Sequence, residues 1–136
     1  MNFLVIGSGS IGRRHASNLL KLGHKVVVQS VFLADQSLII DGVRLTVTKK
    51  ARLLDFDAVI IANLTSQHIE FALKCAVLKL PVFVEKPLSN NLTSAYEFAE
   101  MTAKQNLVIE AGFMLHAHPQ VALIKYYLQK KHIGGV

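Results

Sequence analysis

The sequence predicts an α/β fold, a doubly wound parallel sheet of about six strands in a single domain, and three observations carry that expectation. Short β-rich runs alternate with longer segments of helical apolar spacing. Several runs, such as Ala58-Val59-Ile60-Ile61-Ala62, are apolar throughout, as strands covered on both faces are. The first run ends at Ile6 and opens through Gly7-Ser8-Gly9-Ser10-Ile11-Gly12 directly into helical spacing.

Strands are expected over residues 2–6, 25–29, 43–48, 58–62, 82–84 and 108–111. Helices are expected over 11–22, 67–79 and 92–105, with Gly23 as a C-terminal cap and Thr65 or Ser66 as an N-cap. Pro119 is placed to start a last helix running to about residue 131, with Val121, Ile124, Leu128 and one tyrosine on its apolar side and Gly134-Gly135 ending it. Residues 31–42 admit two readings. A parallel crossover of this length usually holds a helix, yet Asp41-Gly42 between apolar runs is a strong hairpin signal.

The glycine loop carries the first functional reading. After a strand and before a helix, this spacing is the dinucleotide-binding fingerprint of a Rossmann fold: Gly7 for the tight turn, Gly9 for close approach of the phosphates, Gly12 for helix–strand packing. Backbone N–H groups from Ser8 to Gly12 would then meet a pyrophosphate at the helix N-terminus.

Composition limits the alternatives. With 136 residues, about half of them apolar, the chain is the size of one such domain. Fifteen Lys and Arg against nine Asp and Glu give a net charge of +6, but pairs such as Arg13-Arg14, Lys49-Lys50 and Lys130-Lys131 are scattered without aromatic interleaving. They read as solvated surface, and neither nucleic acid nor membrane is expected as a partner. Cys75 is the single cysteine, so no internal disulfide or thiolate cluster is possible; a core position and a cytoplasmic setting are expected. No apolar stretch is long enough to span a bilayer.

Three further patterns add to the loop. Val5 to Gly12 continues into Arg13-Arg14-His15; Asp57-Ala58-Val59-Ile60-Ile61-Ala62-Asn63 is followed by Ser66-Gln67-His68; and Val84-Glu85-Lys86-Pro87-Leu88 precedes Gly112-Phe113-Met114-Leu115-His116-Ala117-His118-Pro119. Together these resemble the Gfo/Idh/MocA oxidoreductases, over essentially the whole chain. The resemblance implies NAD or NADP as cofactor. It assigns cofactor binding to the loop (Gly7, Ser8, Gly9, Ser10, Ile11 and Gly12), to Ser30, to Ala62 and Asn63, to His68, and to Glu85, Lys86 and Pro87.

Lys86 would be the catalytic residue, its ammonium at a strand's carboxyl end meeting a substrate hydroxyl or developing oxyanion. Glu85 is expected to hold that ammonium, and Pro87 to follow a cis bond, as the family places one there. The chain departs from the pattern at Gln29-Ser30-Val31, where an NAD site wants a carboxylate for the ribose and an NADP site an arginine. It departs again at His116 and Ala117, which stand where the family has arginine and an aromatic residue.

The expected function is thus the cofactor-binding half of an NAD(P)-dependent oxidoreductase moving a hydride to or from a sugar, polyol or sugar derivative. The alternative is a catalytically silent dinucleotide-binding module. Residues 1–118 would form the Rossmann domain and 119–136 the last helix and the start of a substrate domain that the family continues into. Substrate binding is expected only with that second domain, and apolar surface left near Pro87 and on the last helix favours a homo-oligomer. Tyr126 and Lys130 share the spacing of a different dehydrogenase family by coincidence. His116 and His118, two apart with no third ligand near in sequence, leave no metal site expected.

Overall fold

The computed structural model describes residues 1–33 and 37–132. Seven strands, β1 (Asn2–Ile6), β2 (Lys25–Gln29), β3 (Leu38–Ile40), β4 (Val43–Thr48), β5 (Ala58–Ile61), β6 (Val82–Val84) and β7 (Ile109–Ala111), form one sheet in the order β3-β4-β2-β1-β5-β6-β7. All neighbours are parallel except β3 and β4. Four helices, α1 (Ser10–Lys21), α2 (Thr65–Val77), α3 (Leu92–Gln105) and α4 (Pro119–Gln129), accompany it.

Side-chain alternation along the strands divides the core in two, as a sheet covered on both sides requires. Leu4, Ile6, Val59, Ile61, Val82 and Val84 pack with Ile69, Ala72, Cys75 and Ala76 of α2 and Phe98 of α3. Val5, Val28, Leu45 and Ile60 point the other way, onto Ala16 and Leu19 of α1. Register follows: Leu4 pairs with Val27 and Val59, and Val59 with Val82, so like faces align across the sheet.

The helix ends show their chemistry. Leu22 caps α1, Gly23 follows at φ +79°, and the N–H groups of Gly23 and His24 reach back to the carbonyls of Leu20 and Leu19, a Schellman closure. Asn91 caps α3 by accepting from the Ser94 N–H, and His118 caps α4 by accepting from Gln120 N–H. For α2 the expected caps are displaced: the helix starts at Thr65 with Leu64 as N-cap and no side-chain cap, ending two residues earlier than the periodicity suggested. The end of the last helix at Gly134-Gly135 lies outside the described residues.

Strand β3 resolves the segment with two readings, in favour of the hairpin. Asp41 at φ +50° and Gly42 at φ +77° join β3 to β4, the double positive φ of a tight hairpin turn. The Asp41 carboxylate accepts from the Ser17 hydroxyl and lies 3.5 Å from Lys21 Nζ, tying the turn to α1; the Ser17 bond, then Lys21, holds that carboxyl below its usual range. β4 therefore returns parallel to β2 through a β-ribbon. The expected count of about six strands omitted β3.

Candidate functional site

The site is built where β1 enters α1. Gly7 adopts φ +115°, and a Cβ there would strike the carbonyl of Ala62, while one on Gly12 would strike the carbonyl of Gly7. These two glycines serve close packing of loop, strand β5 and helix. A Cβ on Gly9 would meet nothing within 4 Å, so the loop is open on that side. Gly9 is also the N-cap of α1, extended and without a side-chain cap, and no acidic residue sits in the first turn. The first-turn N–H groups of Ser10, Ile11 and Gly12 lack intrahelical acceptors by helix geometry. An uncapped helix end beside open space fits the phosphates of a dinucleotide.

Around this loop lies a cleft of about 410 Å³, lined by Gly7, Ser8, Gly9, the end of β2 from Gln29 through Ser30 and Val31 to Phe32, the end of β5 at Ala62, Asn63 and Leu64, and Gln67 and Phe71 of α2. Val31, Phe32, Leu64 and Phe71 give it apolar walls suited to a flat heteroaromatic ring. They escaped the sequence reading, although for Val31, Phe32 and Leu64 a place just beyond a strand end was the available signal; Phe71 lies within α2. The carboxamide oxygen of Asn63 is buried without a partner among the described residues, while its nitrogen donates to Gln67 Oε1 at 2.9 Å.

Ser30 is placed at this cleft, but its side chain is buried at 6% exposure. Its Oγ accepts from the N–H groups of Phe32 and Leu33 at 3.2 and 3.3 Å and lies 2.7 Å from Ser8 Oγ. Arg13 Nε donates to the Ser8 carbonyl at 3.0 Å. No carboxylate among the described residues stands at the end of β2.

The remaining expected site residues cluster at the end of β6, outside that cleft. The Lys86–Pro87 bond is cis, and Lys86 is exposed. His68 borders the cleft only indirectly: it is buried at 2% exposure, with Nδ1 2.9 Å from the Pro87 carbonyl oxygen and Nε2 3.0 Å from that of Asn63. The ring thereby ties the cleft's β5 wall to the Lys86-Pro87 turn. Glu85 does not hold the Lys86 ammonium as expected. Its Oε1 lies 2.8 Å from His15 Nε2 and its Oε2 accepts from the Lys86 backbone N–H at 3.1 Å, because the side chain at this position points to the α1 face of the sheet. His15 of α1 edges Phe83 and completes that contact.

Cys75 is fully buried, and desolvation pushes its thiol up to about 12. Among the described residues no three His, Cys, Asp or Glu side chains gather to hold a metal ion, and no helix is long and apolar enough to cross a membrane.

A model of an oxidoreductase family with an NAD-binding Rossmann fold matches residues 1–113. Myo-inositol 2-dehydrogenase of Thermotoga maritima is 32% identical over 120 residues, 83% of this chain and 36% of that protein. The scyllo-inositol 2-dehydrogenase (NAD(+)) of Bacillus subtilis is 30% identical over 138 residues, 96% of this chain and 40% of that protein. Among solved structures, scyllo-inositol dehydrogenase from Lactobacillus casei with bound NAD(H) and scyllo-inositol shares the fold at a TM-score of 0.78 and 21% identity, over 98% of this chain and 42% of that one. The chain spans about two fifths of the length of such relatives.

Proposed function

The chain belongs to the Gfo/Idh/MocA oxidoreductase family, as its NAD-binding Rossmann domain, and from that premise we propose that it is the cofactor-binding part of an enzyme moving a hydride to or from a polyol or sugar derivative. The observation that supports this most is the uncapped start of α1 at Gly9, opening on a cleft with apolar walls at the carboxyl edge of the parallel strands, the edge at which Lys86 follows β6.

In this reading Ser8 to Gly12 hold the phosphates by backbone N–H groups, and Val31, Phe32, Leu64 and Phe71 enclose the adenine. When bound, the nicotinamide supplies the hydride donor or acceptor. Lys86 extends from the end of β6 and offers an ammonium to a substrate hydroxyl oxygen, stabilising negative charge there. Among the described residues no carboxylate pairs with that ammonium, which leaves it available to substrate. His68 and the Glu85–His15 contact fix the turn that carries it.

Residues 1–118 form the cofactor domain in this reading, with 119–136 leading into the part that supplies the substrate's other wall. The parent relatives' names point to inositols as the substrate class. Cytoplasmic residence and self-association through the exposed side chains of Met114, Leu115 and Ile124 belong to the same proposal.

The test is to titrate the chain with NADH and then supply inositols. Binding without appreciable turnover is expected, because positioning of the substrate carbon accounts for much of the barrier reduction and Lys86 alone cannot supply it. Absence of NADH binding would overturn the proposal, and turnover lost in Lys86→Ala would overturn its requirement for a second domain.

A further inference from the structure

The end of β2 normally reads the adenosine ribose directly, and the geometry here points to a different use. We infer that Ser30 is a positioning residue that acts through Ser8, and that the Ser8 hydroxyl donates a hydrogen bond to the ADP moiety of the dinucleotide. This rests on the dinucleotide-binding reading above.

A serine hydroxyl has one hydrogen and two lone pairs. Ser30 Oγ accepts from the N–H groups of Phe32 and Leu33, which uses both lone pairs. Its one hydrogen is left for Ser8 Oγ, 2.7 Å away. Only that direction satisfies every group at Ser30, which is buried. The Ser8 oxygen therefore receives a bond, and its own hydrogen has no protein acceptor among the described residues.

Ser8 lines the cleft directly beside Gly9. Its carbonyl is fixed separately, by Arg13 Nε at 3.0 Å. Both ends of the residue are thus held before any ligand arrives, and a hydroxyl that accepts one hydrogen bond becomes a better donor in the next. An anionic acceptor, such as a phosphate oxygen, gains most from such a donor. Ser30, by contrast, has nothing left to offer a ribose hydroxyl or a 2′-phosphate.

The experiment is calorimetric titration of the chain with NADH, NADPH and ADP, in the unsubstituted protein and in Ser8→Ala, Ser30→Ala, the double variant and Ser30→Thr. Ser8→Ala is expected to weaken all three ligands by about tenfold, the loss of one hydrogen bond to a charged acceptor. Ser30→Ala should weaken them together and leave the NADH to NADPH ratio unchanged. The double variant should bind no worse than the weaker single one, and Ser30→Thr, which keeps the hydroxyl, should restore affinity.

Because Ser30→Ala also strands two buried N–H groups, thermal unfolding of each variant without ligand is measured alongside. A ratio that shifts tenfold in Ser30→Ala alone would overturn the inference, as direct ribose reading would do that. So would losses that multiply in the double variant. If the unsubstituted chain binds none of the three ligands, the dinucleotide reading itself fails and the inference with it.

Discussion

His15 on α1 and Glu85 at the end of β6 meet at 2.8 Å between Nε2 and Oε1, with side chains only 18% and 12% exposed. The residues lie 70 positions apart in sequence, one a turn into the helix that starts at the glycine loop and the other next to Lys86. Gly112 completes the arrangement, since a Cβ there would crowd Glu85 Oε2 at 3.1 Å and Phe83 at 3.2 Å. The contact joins α1, which starts at the glycine loop, to the turn bearing Lys86.

Removing either partner leaves the other partly buried and unsatisfied. His15→Ala and Glu85→Ala are each expected to lower stability by about 1–3 kcal/mol. Urea unfolding of the variants checks this, and a change below about 0.5 kcal/mol would mean that the pair behaves like an exposed surface contact.

Gly9 and Gly12 should separate by phenotype. Gly9→Val places its side chain in open space and should keep the fold while weakening NADH by about a hundredfold or more. Gly12→Ala drives a methyl into the Gly7 carbonyl and should cost several kcal/mol of stability, beyond the usual overpacking cost of about 1–3 kcal/mol. Circular dichroism melts beside calorimetry distinguish the two. A Gly12→Ala protein as stable as the parent would contradict the packing assignment.

Much of this was legible in the sequence because local chemistry and tertiary structure agree there. The glycine loop lies between a strand and a helix as its spacing required, and α3 was bounded correctly by Leu92 and Gln105. What escaped was set by long-range contact. Nothing near His15 announces Glu85, and nothing near Ser30 announces Ser8, since each pairing depends on how strands line up across the sheet. The hairpin at Asp41-Gly42 was visible as a turn signal, but its balance against a crossover helix depended on α1 being present to hold Asp41 through Ser17 and Lys21.

NADH and NADPH are expected to bind within about tenfold of each other. Ser30 has its hydroxyl committed, and neither an acid nor an arginine follows it at Val31 and Phe32. Competition titrations measure the ratio. A hundredfold preference for either dinucleotide would show that another residue reads the ribose.

Cys75 should resist thiol reagents in the folded protein at pH 8, reacting only at the rate of unfolding, because burial pushes its thiol up to about 12. The raised value also gives a sign for stability. The folded state favours the neutral thiol, so its contribution is complete below the unfolded value of 9.0 and is lost as pH rises toward about 12. Comparison of parent and Cys75→Ala unfolding between pH 8 and 11 should show their difference shrinking with pH. Rapid labelling at pH 8 without unfolding would contradict the burial.

Met114, Leu115, Val121 and Ile124 are 63%, 67%, 37% and 53% exposed, and no residue of α4 is buried. Light scattering should therefore find a dimer or larger species at high concentration, and Leu115→Lys with Ile124→Lys should return it to monomer. A strict monomer in the parent would refute the association.

The most direct test of cofactor binding at the start of α1 is calorimetric titration of the chain with NADH, repeated with Gly9→Val. Saturation at one dinucleotide per chain is expected in the parent, with the heat lost in Gly9→Val while its melting curve is retained. No heat with the parent at millimolar NADH, or equal binding by Gly9→Val, would contradict it.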